Sequence, residues 1–354
     1  MRVVTRFSLL RSVLLLILGL VLSSIITMAD EAPRDPWRQP FASNSIWNLP
    51  VPSGALYAPA HFAPAPVLPE TEYFVRTDDA TPMRPVYFPG SPFRATGTQL
   101  SWLKEMRVPD GFTVADISLN PYRTPNACSA FVHFPSGDIV QLQPTTRLQP
   151  QGPIWGFPKI GENISRQGET GSHYGSGLST FGGSIRAREL TDGEPIRHAL
   201  KLLVQGSRYL YRGVPDGPDP KGFGYHWPAI CCDGYAHQPL EKNGYGGTDP
   251  LIAMGSLVAL DVDPSTLRLT DPRAVKLAQA LRGYGAYIVD DSAYNNYALA
   301  VSSDAVSELV KVPQPDLQKI VAALSVITNT SRNAKKGPGN PYLPLLPEIA
   351  PETK

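Results

Sequence analysis

Ala130-Phe-Val-His-Phe134, Pro135-Ser-Gly-Asp138 and Ile139-Val-Gln-Leu-Gln143 follow one another without a gap. Two runs of β-branched and aromatic residues flank four turn-forming ones, the pattern of a β-hairpin. Working outward, residues 72–76 and 84–88 are short strand-like runs. Residues 184–188 alternate, placing Arg186 and Arg188 on one face of a strand. Residues 196–204 also alternate, with His198 on the apolar face, and residues 251–261 return to strand composition. Two stretches, 149–182 and 212–249, are dense in Gly and polar or aromatic residues and read as long loops, which in compact domains often carry function. Helices come late. Asp271-Pro272 supplies an N-cap and a proline at the first helical position, Gly283 closes the segment, and 286–290 reads as a short buried strand. A last amphipathic helix starts near Asp316, with Leu317, Ile320, Val321 and Leu324 at helical spacing. The expectation is a mainly β fold, β-sandwich-like, with a few peripheral α-helices.

Composition agrees. The 354 residues include 37 Pro, 30 Gly and 15 Tyr, which favours short strands and turns over a helical bundle. A hydrophobic share of 42% suffices for a full core. The formal charge is +1 and no basic stripe is interleaved with aromatics, so nucleic acid is not an expected partner.

Residues 1–29 read as a signal peptide: Arg2, Arg6 and Arg11, then an apolar run over 13–26, then Thr27-Met28-Ala29 before the cut. The apolar run is too short to span a bilayer, and the retained-anchor alternative rests on the same segment. Removing it leaves a chain with two more acids than bases. Secreted or periplasmic localisation follows as an expectation, with no stable membrane span after cleavage. Residues 30–70 read as a Pro-rich extended arm anchored by Trp37 and Trp47, 71–330 as a single β-rich domain, and 331–354 as a flexible C-terminal tail. The three cysteines, Cys128, Cys231 and Cys232, allow a bridge from Cys128 to one of the adjacent pair, or three buried thiols.

Four stretches taken together carry a resemblance: Ser45-Ile-Trp-Asn48; Gly175-Ser-Gly-Leu-Ser-Thr-Phe-Gly-Gly-Ser-Ile-Arg186 running into Glu189-Leu190; Ile196-Arg-His-Ala199 with Trp227-Pro-Ala229 beyond it; and Leu281-Arg-Gly-Tyr-Gly-Ala-Tyr-Ile-Val-Asp290. Over roughly residues 40–300 this order resembles an uncharacterised group of exported bacterial proteins associated with polysaccharide-degrading organisms. The resemblance implies location and general class. The usual Asp-Asn-Gly after the last strand is Asp290-Asp291-Ser292 in this chain.

The sequence lacks a P-loop, a dinucleotide fingerprint, His-Glu-x-x-His, Gly-x-Ser-x-Gly and paired Cys-x-x-Cys. The richest chemistry lies in residues 171–237. His173 and Tyr174 sit side by side in a glycine loop, and Tyr225-His226-Trp227 offers a similar triplet. With Arg186, Arg188 and Asn126 they match the needs of β-elimination from an acidic sugar: a cation for the carboxylate, a base for the α-proton and an acid for the leaving oxygen. Asp290 is the strongest candidate for carboxylate chemistry, beside Glu189, Asp233, Asp249 and Asp291, as glycoside hydrolysis requires. Trp155, Tyr225, Trp227, Tyr245 and Tyr174 offer rings for stacking on sugars. Blander readings stand beside these: His198 as a hydrogen-bonded core histidine, the arginines as ties to Glu189, Asp290 as a strand-end residue and the aromatics as loop packing. His226, Cys231, Cys232 and His237 lie close together, but adjacent cysteines suit tetrahedral zinc poorly. No metal or cofactor is expected, although Ca2+ on loop carboxylates stays compatible with the sequence. The functional expectation is an exported enzyme acting on a polysaccharide or oligosaccharide, leaning slightly to lyase over glycoside hydrolase. The alternative is a non-catalytic carbohydrate-binding or cell-surface structural protein.

Overall fold

The computed structural model describes residues 34–90, 95, 97–114, 127–213 and 224–349. The expected signal at 1–29 and the expected ligand residue Asn126 lie outside the described residues.

The fold is mainly β with few helices. Twelve strands are described: β1 (Tyr57–Pro59), β2 (Val67–Thr77), β3 (Met83–Tyr87), β4 (Glu105–Arg107), β5 (Ser129–His133), β6 (Asp138–Thr146), β7 (Ile154–Asn163), β8 (Leu200–Val204), β9 (Leu257–Leu260), β10 (Ala286–Asp291), β11 (Tyr297–Ser302) and β12 (Leu324–Ile327). They form one hydrogen-bonded order, β1-β12-β9-β10-β8-β11-β2-β5-β6-β7-β3-β4. The helices are α1 (Gly206–Tyr209), α2 (Pro272–Gly283), α3 (Val306–Val310) and α4 (Gln314–Ala322).

The hairpin forms as its sequence dictates. β5 and β6 pair antiparallel with Phe131 opposite Val140, and Gly137 takes the left-handed conformation the turn requires at φ 74°. α2 starts where the cap signal lies, with Asp271 Oδ1 accepting from Arg273 N at 2.8 Å.

The sheet is mixed: β10–β8, β11–β2 and β2–β5 pair parallel. Strands covered on both faces read as apolar runs instead of alternating ones. In β8 every residue is buried, yet its two faces serve different layers. Leu200, Leu202 and Val204 join the core under α2 and α4. Leu203 joins a second core made by Phe41, Ile46 and Trp47 of the proline-rich arm with Phe181. Lys201 shares the parity of Leu203, so it points to the arm side.

Two expected elements differ. Residues 184–188 are not a strand: Ile185 makes one isolated bridge to Val301, and Arg188 has φ 70°. Arg186 and Arg188 therefore share no strand face. Residues 154–163, read as loop, are β7. Its inward positions are Ile154, Gly156 and Pro158, and Gly and Pro hide a strand from composition. The C-terminal stretch, expected as a loose tail, is tied down as far as residue 349 is described. Lys336 Nζ donates to Tyr284 O at 2.7 Å, Ser53 N to Asn340 O at 2.8 Å, and Arg34 Nη1 to Pro347 O at 2.9 Å.

Candidate functional site

On the arm side of the sheet, four ionisable residues from different strands and one loop form a chain of alternating charge. Glu72 on β2 and Lys201 on β8 are separated by β11, whose Ala300 is registered with Glu70 and Ser302 with Glu72. The intervening methyl leaves room for the lysine chain to cross. Lys201 Nζ reaches Glu72 Oε1 and Oε2 at 2.7 Å each and Thr180 O at 2.7 Å. Glu72 also accepts from Ser184 Oγ and pairs with His173 Nε2 at 2.7 Å. The other imidazole nitrogen, Nδ1, lies 3.5 Å from Asp290 Oδ2 and 3.7 Å from Cys128 Sγ. Asp290 in turn accepts from Gln143 Nε2 at 3.1 Å and from Asp291 N at 3.0 Å.

The loop that carries His173 is built for this approach. Its backbone closes on itself through Gly171 N to Gly177 O at 2.9 Å, and Thr180 N donates to Gln141 Oε1 at 2.7 Å. Gly175 must be glycine, because a Cβ there would stand 2.5 Å from Asp290 Oδ1. Tyr174 N donates to Gln143 Oε1 at 2.6 Å, so one amide side chain holds both the loop and Asp290.

Burial sets the electrostatics. Glu72 and Lys201 have no exposed surface, His173 is 1% exposed and Asp290 is 4% exposed. Burial favours a neutral Glu72, but the Lys201 charge and the His173 contact outweigh it and hold the carboxyl below its ordinary value. Burial lowers Lys201. For His173, burial opposes the charged ring, yet Cys128 and Asp290 beside Nδ1 prevail and raise it well above its ordinary value. Burial pushes the Cys128 thiol up.

Around this chain the site becomes acidic, and Asp233, Glu70 and Asp291 are half-buried. Burial and the Asp290 charge raise Asp233 to about 8, while Tyr245 Oη donates to it. Glu70 rises to about 8 for the same two reasons. Asp291 is raised by burial and accepts from Gly206 N at 2.7 Å and Tyr235 Oη at 3.1 Å. The arrangement thus places two carboxyls pushed up by burial, Asp233 and Glu70, near Asp290, whose oxygens accept from Gln143 and Asp291 N.

Glu72, Cys128 and His173 also offer ligand atoms within 4.8 Å of one another. Both Glu72 oxygens, however, already face Lys201 Nζ, so the cation in this pocket is the lysine ammonium.

Of the residues singled out from sequence, the structure brings His173, Tyr174 and Asp290 together, with Asp233 and Asp291 beside them. Most of the others lie elsewhere or are sealed. Arg186 is buried over the rings of Phe74 and Phe181 and donates to Phe181 O and Trp37 O, and burial lowers it to about 10. Its charge serves the core between arm and loop. Arg188 is exposed, with its backbone N on Glu308 Oε1 at 2.6 Å. His226 is exposed and donates from Nε2 to Pro250 O at 2.7 Å. Tyr245 is sealed at 1% exposure and orients Asp233, so it presents no ring face to a ligand. Tyr225 packs against the helix-side core and Trp227 against the arm-side core. Trp155 is half-buried on the outer side of β7. His198 is the core histidine of the blander reading, between Glu189 and Ala199 O at 2.9 Å. Cys128 stands as a buried thiol against His173, so the proposed bridge from it is absent.

Sequence reasoning missed Glu70, Glu72, Gln143 and Lys201. One signal was available: Lys201 interrupts Leu200-Lys-Leu-Leu-Val204, and a charge inside an apolar strand is retained only with a partner. Compared with known proteins, the chain matches no protein-family model, no curated protein and no solved structure.

Proposed function

We propose that the protein is an exported glycan-cleaving enzyme that works by hydrolysis, with Asp233 as the proton donor and Asp290 as the carboxylate partner. The observation that carries this reading is the pairing of Asp233, raised to about 8, with Asp290, whose oxygens accept from Gln143 and Asp291 N. A neutral carboxyl protonates the glycosidic oxygen as the bond to the anomeric carbon breaks, and the carboxylate supports the cationic centre directly or by taking a proton from water. His173, held between Glu72 and Asp290, is a positioning residue that orients the Asp290 carboxyl. Elimination has less support, because Arg186, one of the two arginines expected to neutralise a uronate, is buried against Phe74 and Phe181 with its guanidinium on Phe181 O. The deep setting of His173 and Asp290 is the observation that favours the second reading, a non-catalytic carbohydrate-binding protein.

The test is incubation of the full chain with neutral and acidic polysaccharides, reading reducing ends and absorbance near 235 nm. Reducing ends without new absorbance are expected, and Asp290→Asn and Asp233→Asn each lower turnover by about 10²–10⁴. New absorbance, or turnover indifferent to both substitutions, overturns the hydrolytic reading.

A further inference from the structure

Beyond the acid pair, aromatic side chains continue from the site across the outer side of the sheet. Trp155 and Phe157 alternate with the buried Ile154, Gly156 and Pro158 and so share the outward face of β7. Tyr87 is registered with Trp155 on the neighbouring strand, and their ring centroids lie 5.7 Å apart. Phe157 meets Phe88 at 5.7 Å and Tyr174 at 5.6 Å. Tyr174 is 50% exposed and Phe88 38% exposed. The line ends on the chemistry: Tyr174 N donates to Gln143 Oε1, and Gln143 Nε2 donates to Asp290 Oδ2.

Buried aromatics need no ligand, but a run of rings left partly in water does have a reason to exist as a binding surface. We propose that Trp155, Phe157, Phe88 and Tyr174 form a set of subsites for a chain of uncharged pyranose units, leading it to Asp290. Pyranose rings carry flat patches of C–H groups that match aromatic faces, and Phe88 and Tyr174, on either side of Phe157, both leave ring surface to water. Charge selects the class. Asp290 and Asp291 stand next to each other on β10 at the end of the line, and Tyr235 and Tyr245 hold Asp291 and Asp233 there, so a uronate would have to enter a cluster of acidic side chains. Arg186, which could have offset it, is buried in the core between arm and loop. The inference rests on the glycan reading above but not on hydrolysis.

Affinity electrophoresis of the full-chain Asp290→Asn protein separates these ideas, because binding is read without turnover. The probes are hydroxyethyl cellulose, glucomannan and arabinoxylan against polygalacturonate and alginate. Retardation by at least one neutral polymer and none by the uronates is expected. Phe157→Ala and Tyr174→Ala each weaken it about fivefold to tenfold, in line with the worth of one ring contact. Tyr342→Ala, 64% exposed on the C-terminal stretch, leaves it unchanged. Phe157→Leu keeps the volume and removes the ring, should the alanine variant fail to fold. No retardation by any neutral polymer, stronger retardation by a uronate, or indifference to the Phe157 and Tyr174 substitutions overturns the proposal. Retention without reducing ends in the wild-type protein upholds the subsites and defeats hydrolysis. Reducing ends with an unchanged KM in the ring variants does the reverse.

Discussion

Lys201 Nζ lies 2.7 Å from each carboxylate oxygen of Glu72, although the residues are 129 positions apart and neither side chain reaches solvent. A buried pair of this kind contributes little net stability compared with well-packed hydrocarbon, but losing one member strands the other charge. Lys201→Met is therefore expected to destabilise the fold by about 3–5 kcal/mol. Adding Glu72→Gln should recover more than half of that. Urea unfolding of the single and double variants measures both; equal losses in the two would refute the pairing argument.

Asp233 and Glu70 make stability fall with rising pH. Their folded values of about 8 exceed the ordinary 3.8 and 4.5, so between those limits the native state binds more protons than the unfolded chain. Each group contributes a loss of at most about 1.4 kcal/mol per pH unit within its window. Urea midpoints from pH 5 to pH 8, roughly the window of both groups, should decline in the wild type and decline less steeply in Asp233→Asn. A slope unchanged by that substitution would show that Asp233 titrates normally.

Lys336 acts with the opposite sign. Burial holds its amine well below the ordinary 10.5, with Tyr284 O as its hydrogen-bond acceptor. The unfolded chain binds the extra proton, so native stability falls as pH drops from 10.5 towards the folded value. Lys336→Met lacks this proton. Relative to wild type it should gain up to about 1.4 kcal/mol for each unit of falling pH in the upper part of the range. Thermal midpoints of the two proteins at pH 10, 9 and 8 test it, about the range in which the effect operates.

Cys128 invites a different chemistry, since a thiol beside imidazole is a familiar nucleophile. Here burial raises the thiol and leaves it 1% exposed, which keeps it protonated and out of reach. Cys128→Ala should retain turnover within about threefold, and iodoacetamide should label the native protein at Cys128 far more slowly than the unfolded chain. A turnover loss like that of Asp290→Asn would transfer the central role to sulfur.

Much of the scaffold is written locally. The β5–β6 hairpin, the cap and proline that start α2, and the glycine before β10 need only neighbours in sequence to act, because turn and cap geometry is settled within a few residues. Strands β7 and β12 were harder to read: 154–163 read as loop, and Leu324, counted with the last helix, opens β12 instead. Their burial depends on which layer covers them, and a strand with Gly and Pro at its inward positions resembles a loop until its partner is known.

The candidate site divides along the same line. Sequence alone determined that His173 and Tyr174 stand in a glycine-rich loop, that Asp290 ends a buried strand and that the chain is mainly β. Each follows from backbone preference and periodicity over short windows. Only the tertiary structure decided that Arg186 belongs to the core, that Lys201 answers Glu72 across an intervening strand and that burial, with the Asp290 charge, pushes Asp233 up. Those outcomes depend on through-space electrostatics in a desolvated interior, where distance and burial set the interaction and separation along the chain has no bearing.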